Sequence, residues 1–123
     1  MRKVLYVDDD AINLALFELQ FQNHFEVHVC QEPQDAVEKI VEQSIPVLVS
    51  DYKMPGMNGM ELIQEVKRVA PHTTCIMLSG YLKNDLKLNH KLINSFVSKP
   101  FDFDYLLKVI DDAFVALERP ANV

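Results

Sequence analysis

The chain reads as an α/β domain: a doubly wound, five-stranded parallel sheet of order 2-1-3-4-5, flavodoxin-like in arrangement. Two observations predict this. Short apolar runs of strand length alternate with longer amphipathic stretches along all 123 residues. Each strand-plus-helix unit is roughly 20–25 residues long, and right-handed crossovers of that length leave few topologies, with helices on both faces.

Val4-Leu5-Tyr6-Val7 is the first strand, followed by a helical pattern over residues 11–23. Val27-His28-Val29-Cys30 is the second, and Pro33 opens a helix to residue 43, in a first turn where its missing N–H costs nothing. Val47-Leu48-Val49 is the third strand and ends at Asp51. Residues 53–59 are rich in turn formers and lead into a helix ending near residue 70. Thr74 to Leu78 make the fourth strand, residues 82–92 a weaker Lys-rich helix, and Ser95-Phe96-Val97 a short fifth strand. The final helix covers residues 103–117, with Asp102 as N-cap and Pro120 as stop. The domain is expected over residues 1–119, with 120–123 a C-terminal tail or the start of a linker.

Eighteen acidic side chains against 12 basic ones give a net charge of −6. That balance argues against nucleic acid or an anionic membrane surface as the domain's partner, since both need a basic patch. No stretch reaches the ~18 apolar residues of a membrane span. Met1-Arg2-Lys3 enters a strand at once and leaves no room for a signal peptide. A cytoplasmic location is the expectation. Cys30 and Cys75 fall on the second and fourth strands, three spacings or roughly 14 Å apart, which excludes a disulfide. The four histidines show no metal-ligand spacing.

Open α/β sheets bind ligands beyond the carboxyl ends of their strands. Strand 1 ends in Asp8-Asp9-Asp10, strand 3 in Asp51, strand 4 in Ser79-Gly80 and strand 5 in Lys99-Pro100. The strand order brings these ends to one rim. Two carboxylates ~4 Å apart repel by about 4 kcal/mol at an effective dielectric of 20, so a proton or a cation must enter. All-oxygen ligands suit Mg²⁺ or Mn²⁺ better than zinc. A carboxylate beside a hard dication, a lysine and a hydroxyl is also a phosphoryl acceptor. Asp10 is better read as the cap of the first helix.

Val7-Asp8-Asp9, Asp51 to Gly59, Leu78-Ser79-Gly80 and Lys99-Pro100-Phe101 stand in the order and spacing of a known family. Over nearly its whole length the sequence resembles the receiver domains of bacterial two-component response regulators, the CheY-like receivers. The resemblance implies that Asp51 accepts a phosphoryl group from a histidine kinase or histidine phosphotransfer protein. It implies that Asp9, Asp51 and the backbone carbonyl of Lys53 hold Mg²⁺, with Asp8 touching it directly or through water. Ser79 would bind a phosphoryl oxygen, Lys99 would pair with the acyl phosphate, and Phe96 would be the aromatic switch that turns inward as Ser79 moves. Lys53 and Tyr81 flank the pocket and would tune phosphoryl lifetime, and the Lys99–Pro100 bond is expected to be cis. Such a domain is a switch rather than an enzyme, apart from taking up and hydrolysing its own phosphoryl group. It would control an output domain or downstream protein through residues 82–92, the fifth strand and the final helix.

Some positions depart from the family pattern: Ser79 where Thr is common, Gly80 for Ala, Phe96 for Tyr, and no Gly in residues 91–95. The first helix is apolar over more than one face. Either Phe17 or Phe21 is exposed to dock the phosphodonor, or both cover the edge of the core. Lys83, Lys87 and Lys91 form a basic stripe, and Asp104, Asp111 and Asp112 an acidic one. These suit a homodimer, an output-domain contact, or two solvated faces. Rival readings are an aspartyl-phosphate phosphohydrolase, disfavoured by Lys53 where a second acid would stand, and a flavodoxin-like cofactor carrier, disfavoured by three aspartates in the phosphate loop. A receiver-fold scaffold no longer phosphorylated is the last.

Overall fold

The computed structural model describes residues 1–80 and 88–119. Five parallel strands, β1 (Lys3–Val7), β2 (Glu26–Cys30), β3 (Val47–Asp51), β4 (Thr74–Ser79) and β5 (Ser95–Ser98), form one sheet of order β2-β1-β3-β4-β5. Four α-helices are described: α1 (Ala11–Phe21), α2 (Ala36–Gln43), α3 (Gly59–Val69) and α4 (Phe103–Glu118). The predicted strand order is the observed one.

The pleat explains why the strands are apolar almost throughout. Successive side chains point to opposite faces, and both faces are covered. Val4, Tyr6, Val47, Val49, Ile76, Leu78 and Val97 pack under α1 and α4, whereas Leu5, Val7, Leu48, Cys75 and Met77 pack under α2 and α3. On the α1/α4 side an aromatic column runs through the core. Tyr6 stacks on Phe17 with centroids 4.2 Å apart and planes at 14°, and Phe17, Phe21 and Phe103 continue the column. Cys30 and Cys75 are free, buried thiols.

Helix boundaries follow local chemistry. Asp10 caps α1 by accepting from the Ile12 and Asn13 amides, and Asp102 caps α4 by accepting from Tyr105. Asn58 and Glu61 form a reciprocal capping box at the start of α3. Pro33–Asp35 makes a single 3₁₀ turn, so α2 proper starts at Ala36. Arg2 ties the start of β1 to the end of α4 through Glu118 (2.6 Å) and Asp111 (3.4 Å).

The described part of one expected helix, residues 82–92, departs from the prediction. Residues 88–92 are not helical. The Asn89 side chain accepts from the Lys91 amide at 3.1 Å, and the Leu92 amide donates to the Asn89 carbonyl at 3.0 Å. That local turn competes with helical hydrogen bonding. The remainder of this stretch, with Tyr81, Lys83 and Lys87, lies outside the described residues, as does the 120–123 tail. Of the acidic stripe, Asp111 pairs with Arg2 and Asp112 with Lys108 (2.8 Å), so much of its charge is met within the chain.

Gly59 joins the loop after β3 to α3. Its amide donates to the Tyr52 carbonyl at 2.7 Å. A Cβ there would run into the Asp51 carbonyl oxygen and come within 2.9 Å of the Met77 sulfur. Gly59→Ala is expected to destabilise the protein by about 1–3 kcal/mol, the usual cost of overpacking against atoms that cannot yield. A lowered urea midpoint would check this.

Candidate functional site

Strand alternation assembles the site. Asp8 follows Tyr6 by two residues, Asp51 follows Val49 by two, and Lys99 follows Val97 by two. Each continues the α1/α4 face at the carboxyl end of its strand. Asp8 and Asp51 are buried at 1% and 8% exposure, whereas Asp9 is exposed. One carboxylate oxygen from each of Asp8, Asp9 and Asp51 lies within 4.8 Å of the others. Lys99 Nζ is 2.7 Å from Asp51 Oδ1 and 3.8 Å from Asp8 Oδ2.

Asp8 is the most tightly held of the three. Its Oδ2 accepts from the Tyr6 hydroxyl at 2.6 Å and from Asn13 Nδ2 at 3.2 Å, and its Oδ1 accepts from the Asp10 amide at 3.0 Å. Asp9 is placed by its backbone, whose carbonyl accepts from Gln31 Nε2 at 3.0 Å. Burial pushes the Asp51 carboxyl above the ordinary carboxylate value, with Lys99 pulling the other way. Burial also pushes the Tyr6 hydroxyl far up, reinforced by its bond to Asp8, so this phenol is a donor.

Ser79 ends β4 beside Asp51, whose register partner is Leu78. It is buried, and the Lys99 amide donates to its carbonyl at 2.8 Å, which sets the β5 end against the β4 end. Lys53 lies exposed in the loop two residues beyond Asp51. Phe96 is half-buried against the α2/α3-side core, on the opposite sheet face from Asp8, Asp51 and Lys99. The Lys99–Pro100 bond is cis, as expected. Tyr81 lies outside the described residues.

This set of residues, on this topology, has a known counterpart. The family model for the response regulator receiver domain matches residues 4–111. The chain belongs to that family.

Relatives of this receiver extend the match. It is 30% identical over 128 residues to the uncharacterized transcriptional regulatory protein YesN of Bacillus subtilis, covering 97% of this chain and 34% of YesN. It is 28% identical to the chemotaxis protein CheY of the same organism, over 89% of this chain and 94% of CheY. A response regulator receiver domain protein from Clostridium thermocellum superposes with a TM-score of 0.87 at 25% identity, covering 96% of this chain and 98% of that one. The receiver spans about a third of YesN's length.

Sequence reasoning misses two parts of the site. It counts Tyr6 only as a strand residue and Asn13 only as a helical one, although Tyr6 stands two residues before Asp8 and therefore on its face. The first-helix alternatives are also settled. Phe17 and Phe21 are buried at 1% and 0%, and the exposed large apolar residues of α1 are Ile12 (70%), Leu16 (51%) and Leu19 (66%).

Because its carboxyl is raised by burial, ionised Asp51 costs this receiver stability at neutral pH. The charge penalty is full above the raised folded value. It vanishes as pH falls below the ordinary carboxylate value of about 3.9, where both states hold the proton. Asp51→Asn is therefore expected to raise the metal-free unfolding midpoint at pH 7, with the gain shrinking toward pH 3. Denaturant melts in chelator across that range test the sign.

Proposed function

We propose that this receiver is a phosphorylation-activated signalling switch. It accepts a phosphoryl group on Asp51 from a histidine kinase or a histidine phosphotransfer protein in a Mg²⁺-dependent reaction. The observation that carries the reading is the meeting of three carboxylates with one ammonium at 2.7 Å from Asp51. An all-carboxylate donor set fits a small, hard dication, Mg²⁺ or Mn²⁺, and not a soft one. Asp8, Asp9, Asp51 and the Lys53 backbone carbonyl are the residues that would hold it. When bound, the ion supplies positive charge to the phosphoryl oxygens.

The chain's own residues do the rest. An Asp51 carboxylate oxygen attacks phosphorus as the phosphorus–nitrogen bond of the phosphohistidine breaks, and the bonding pair stays on the imidazole. Lys99 pairs with a phosphoryl oxygen and the Ser79 hydroxyl donates to another. The phosphoryl group then acts as a ligand that favours one of two conformations. Ser79 moves toward it, Phe96 turns inward, and the surface of residues 82–92, β5 and α4 is what the output domain or downstream protein reads. Lys53 and Tyr81 tune how long the phosphoryl group lasts. Self-dephosphorylation is the only catalysis in this reading, and a cytoplasmic location goes with it.

The phosphodonor approaches along α1. Leu16 and Lys99 both line a groove of about 490 Å³, with Tyr6, Phe17, Pro100 and Phe101 among its walls. Leu16 belongs both to this groove and to the exposed Ile12–Leu16–Leu19 stripe, so the two surfaces share a residue.

With acetyl phosphate and Mg²⁺ the protein is expected to gain one phosphoryl group, seen as a mass increase that chelator prevents. Asp51→Asn should gain none, and labelling of Asp51→Asn equal to wild type sinks the reading. Leu16→Asp should slow transfer from a cognate phosphohistidine protein by about tenfold, the size of one buried apolar anchor lost. Its rate with acetyl phosphate, which needs no docking surface, should stay at the wild-type value.

A further inference from the structure

Asp8 Oδ2 has three donors around it and makes hydrogen bonds to two. The Tyr6 hydroxyl is at 2.6 Å and Asn13 Nδ2 at 3.2 Å, whereas Lys99 Nζ stands off at 3.8 Å. Oδ1 accepts from the Asp10 amide at 3.0 Å. A carboxylate oxygen offers two lone pairs, so the phenol and the carboxamide fill Oδ2 between them. Lys99 makes its short contact on Asp51 instead, at 2.7 Å. We infer that Tyr6 and Asn13 are positioning residues that saturate Asp8 Oδ2 and thereby direct the Lys99 ammonium to Asp51.

The alternative pairing is close at hand. Asp8 is the more deeply buried carboxylate, and a buried charge gains most from an ionic partner. Removing one neutral donor opens a lone pair on Oδ2 to an ammonium that needs to move little more than 1 Å. Tyr6 is held firmly enough to keep its hydroxyl on Asp8. Its ring is stacked on Phe17, it is 2% exposed, and β2 and β3 flank its strand on either side. Asn13 sits in the first turn of α1, which the Asp10 cap fixes in place. The consequence for transfer rests on the receiver reading above, because there the ammonium must stand where the phosphoryl group arrives. The contact pattern itself does not depend on it.

Tyr6→Phe keeps the ring stack and deletes one hydroxyl. Asn13→Ala deletes the other donor from a half-buried helix position, and carries the test if the first variant folds poorly. The carboxyl ¹³C resonances of Asp8 and Asp51 are followed by NMR in the metal-free chain. Asp8 should shift in both variants because it loses a donor; the deciding resonance is Asp51, which should also shift as Lys99 leaves it. That Asp51 shift should disappear when Tyr6→Phe is made on Lys99→Met. In acetyl phosphate with Mg²⁺, each variant should form the acyl phosphate roughly tenfold more slowly, as for other lost orienting partners. An Asp51 resonance at its wild-type position in both variants overturns the inference, as does a shift that persists without Lys99. A wild type that takes up no phosphoryl group while Asp51 shifts as described overturns the receiver reading and supports this one.

Discussion

One ammonium group set against three carboxylates is the constraint on which the site depends. Lys99 meets Asp51 closely and Asp8 at a distance, and Asp9 stands at the exposed rim. The remaining negative charge is why the arrangement suits a dication. Burial makes the demand sharper. Asp51 is ionised at a cost, so whatever enters to pair with it gains from relieving that cost.

The aromatic column beneath the site bears on the same constraint. Tyr6 belongs at once to the core, through its stack on Phe17, and to the site, through its bond to Asp8. Phe17 in turn passes the column to Phe21 and Phe103, and so to the start of α4. The position of a charge-holding oxygen is thereby set by the packing of two helices on the sheet. The opposite face carries Phe96 against a softer core of Met54, Met60 and Met77, side chains that refill space readily when a neighbour turns.

Much of this is legible in the sequence because it depends on short-range patterns. Strand runs bounded by turn residues predict five parallel strands, and residues just past their ends must meet at one rim. Asp8, Asp9, Asp51, Ser79 and Lys99 therefore need only the strand order. What escapes needs three dimensions. The hydroxyl of Tyr6 is invisible to an apolar count, although its two-residue offset from Asp8 carries the clue. In α1, Leu14-Phe17-Phe21 and Ile12-Leu16-Leu19 both recur at helical spacing, so periodicity alone does not choose the buried face. The ring stack on Tyr6 chooses it. Residues 88–92 look helical by composition, but the Asn89 side chain supplies a local hydrogen bond that a helix would have to forgo.

The two faces of α1 then have different work within one small helix. Leu14, Phe17 and Phe21 anchor it to the sheet, and its first turn holds Asp8 through Asn13. Its outer stripe is apolar where solvent would favour polar side chains, and Leu16 of that stripe lines the groove that Lys99 also lines. An isolated exposed apolar residue needs no explanation, but three in one stripe beside the carboxylate cluster do. A partner seated on that stripe would press on the helix that fixes Asn13, and hence on the oxygen that decides where Lys99 points. Docking and acceptor geometry would then be linked through a single rigid element, with the strain falling on side-chain hydrogen bonds rather than on the core.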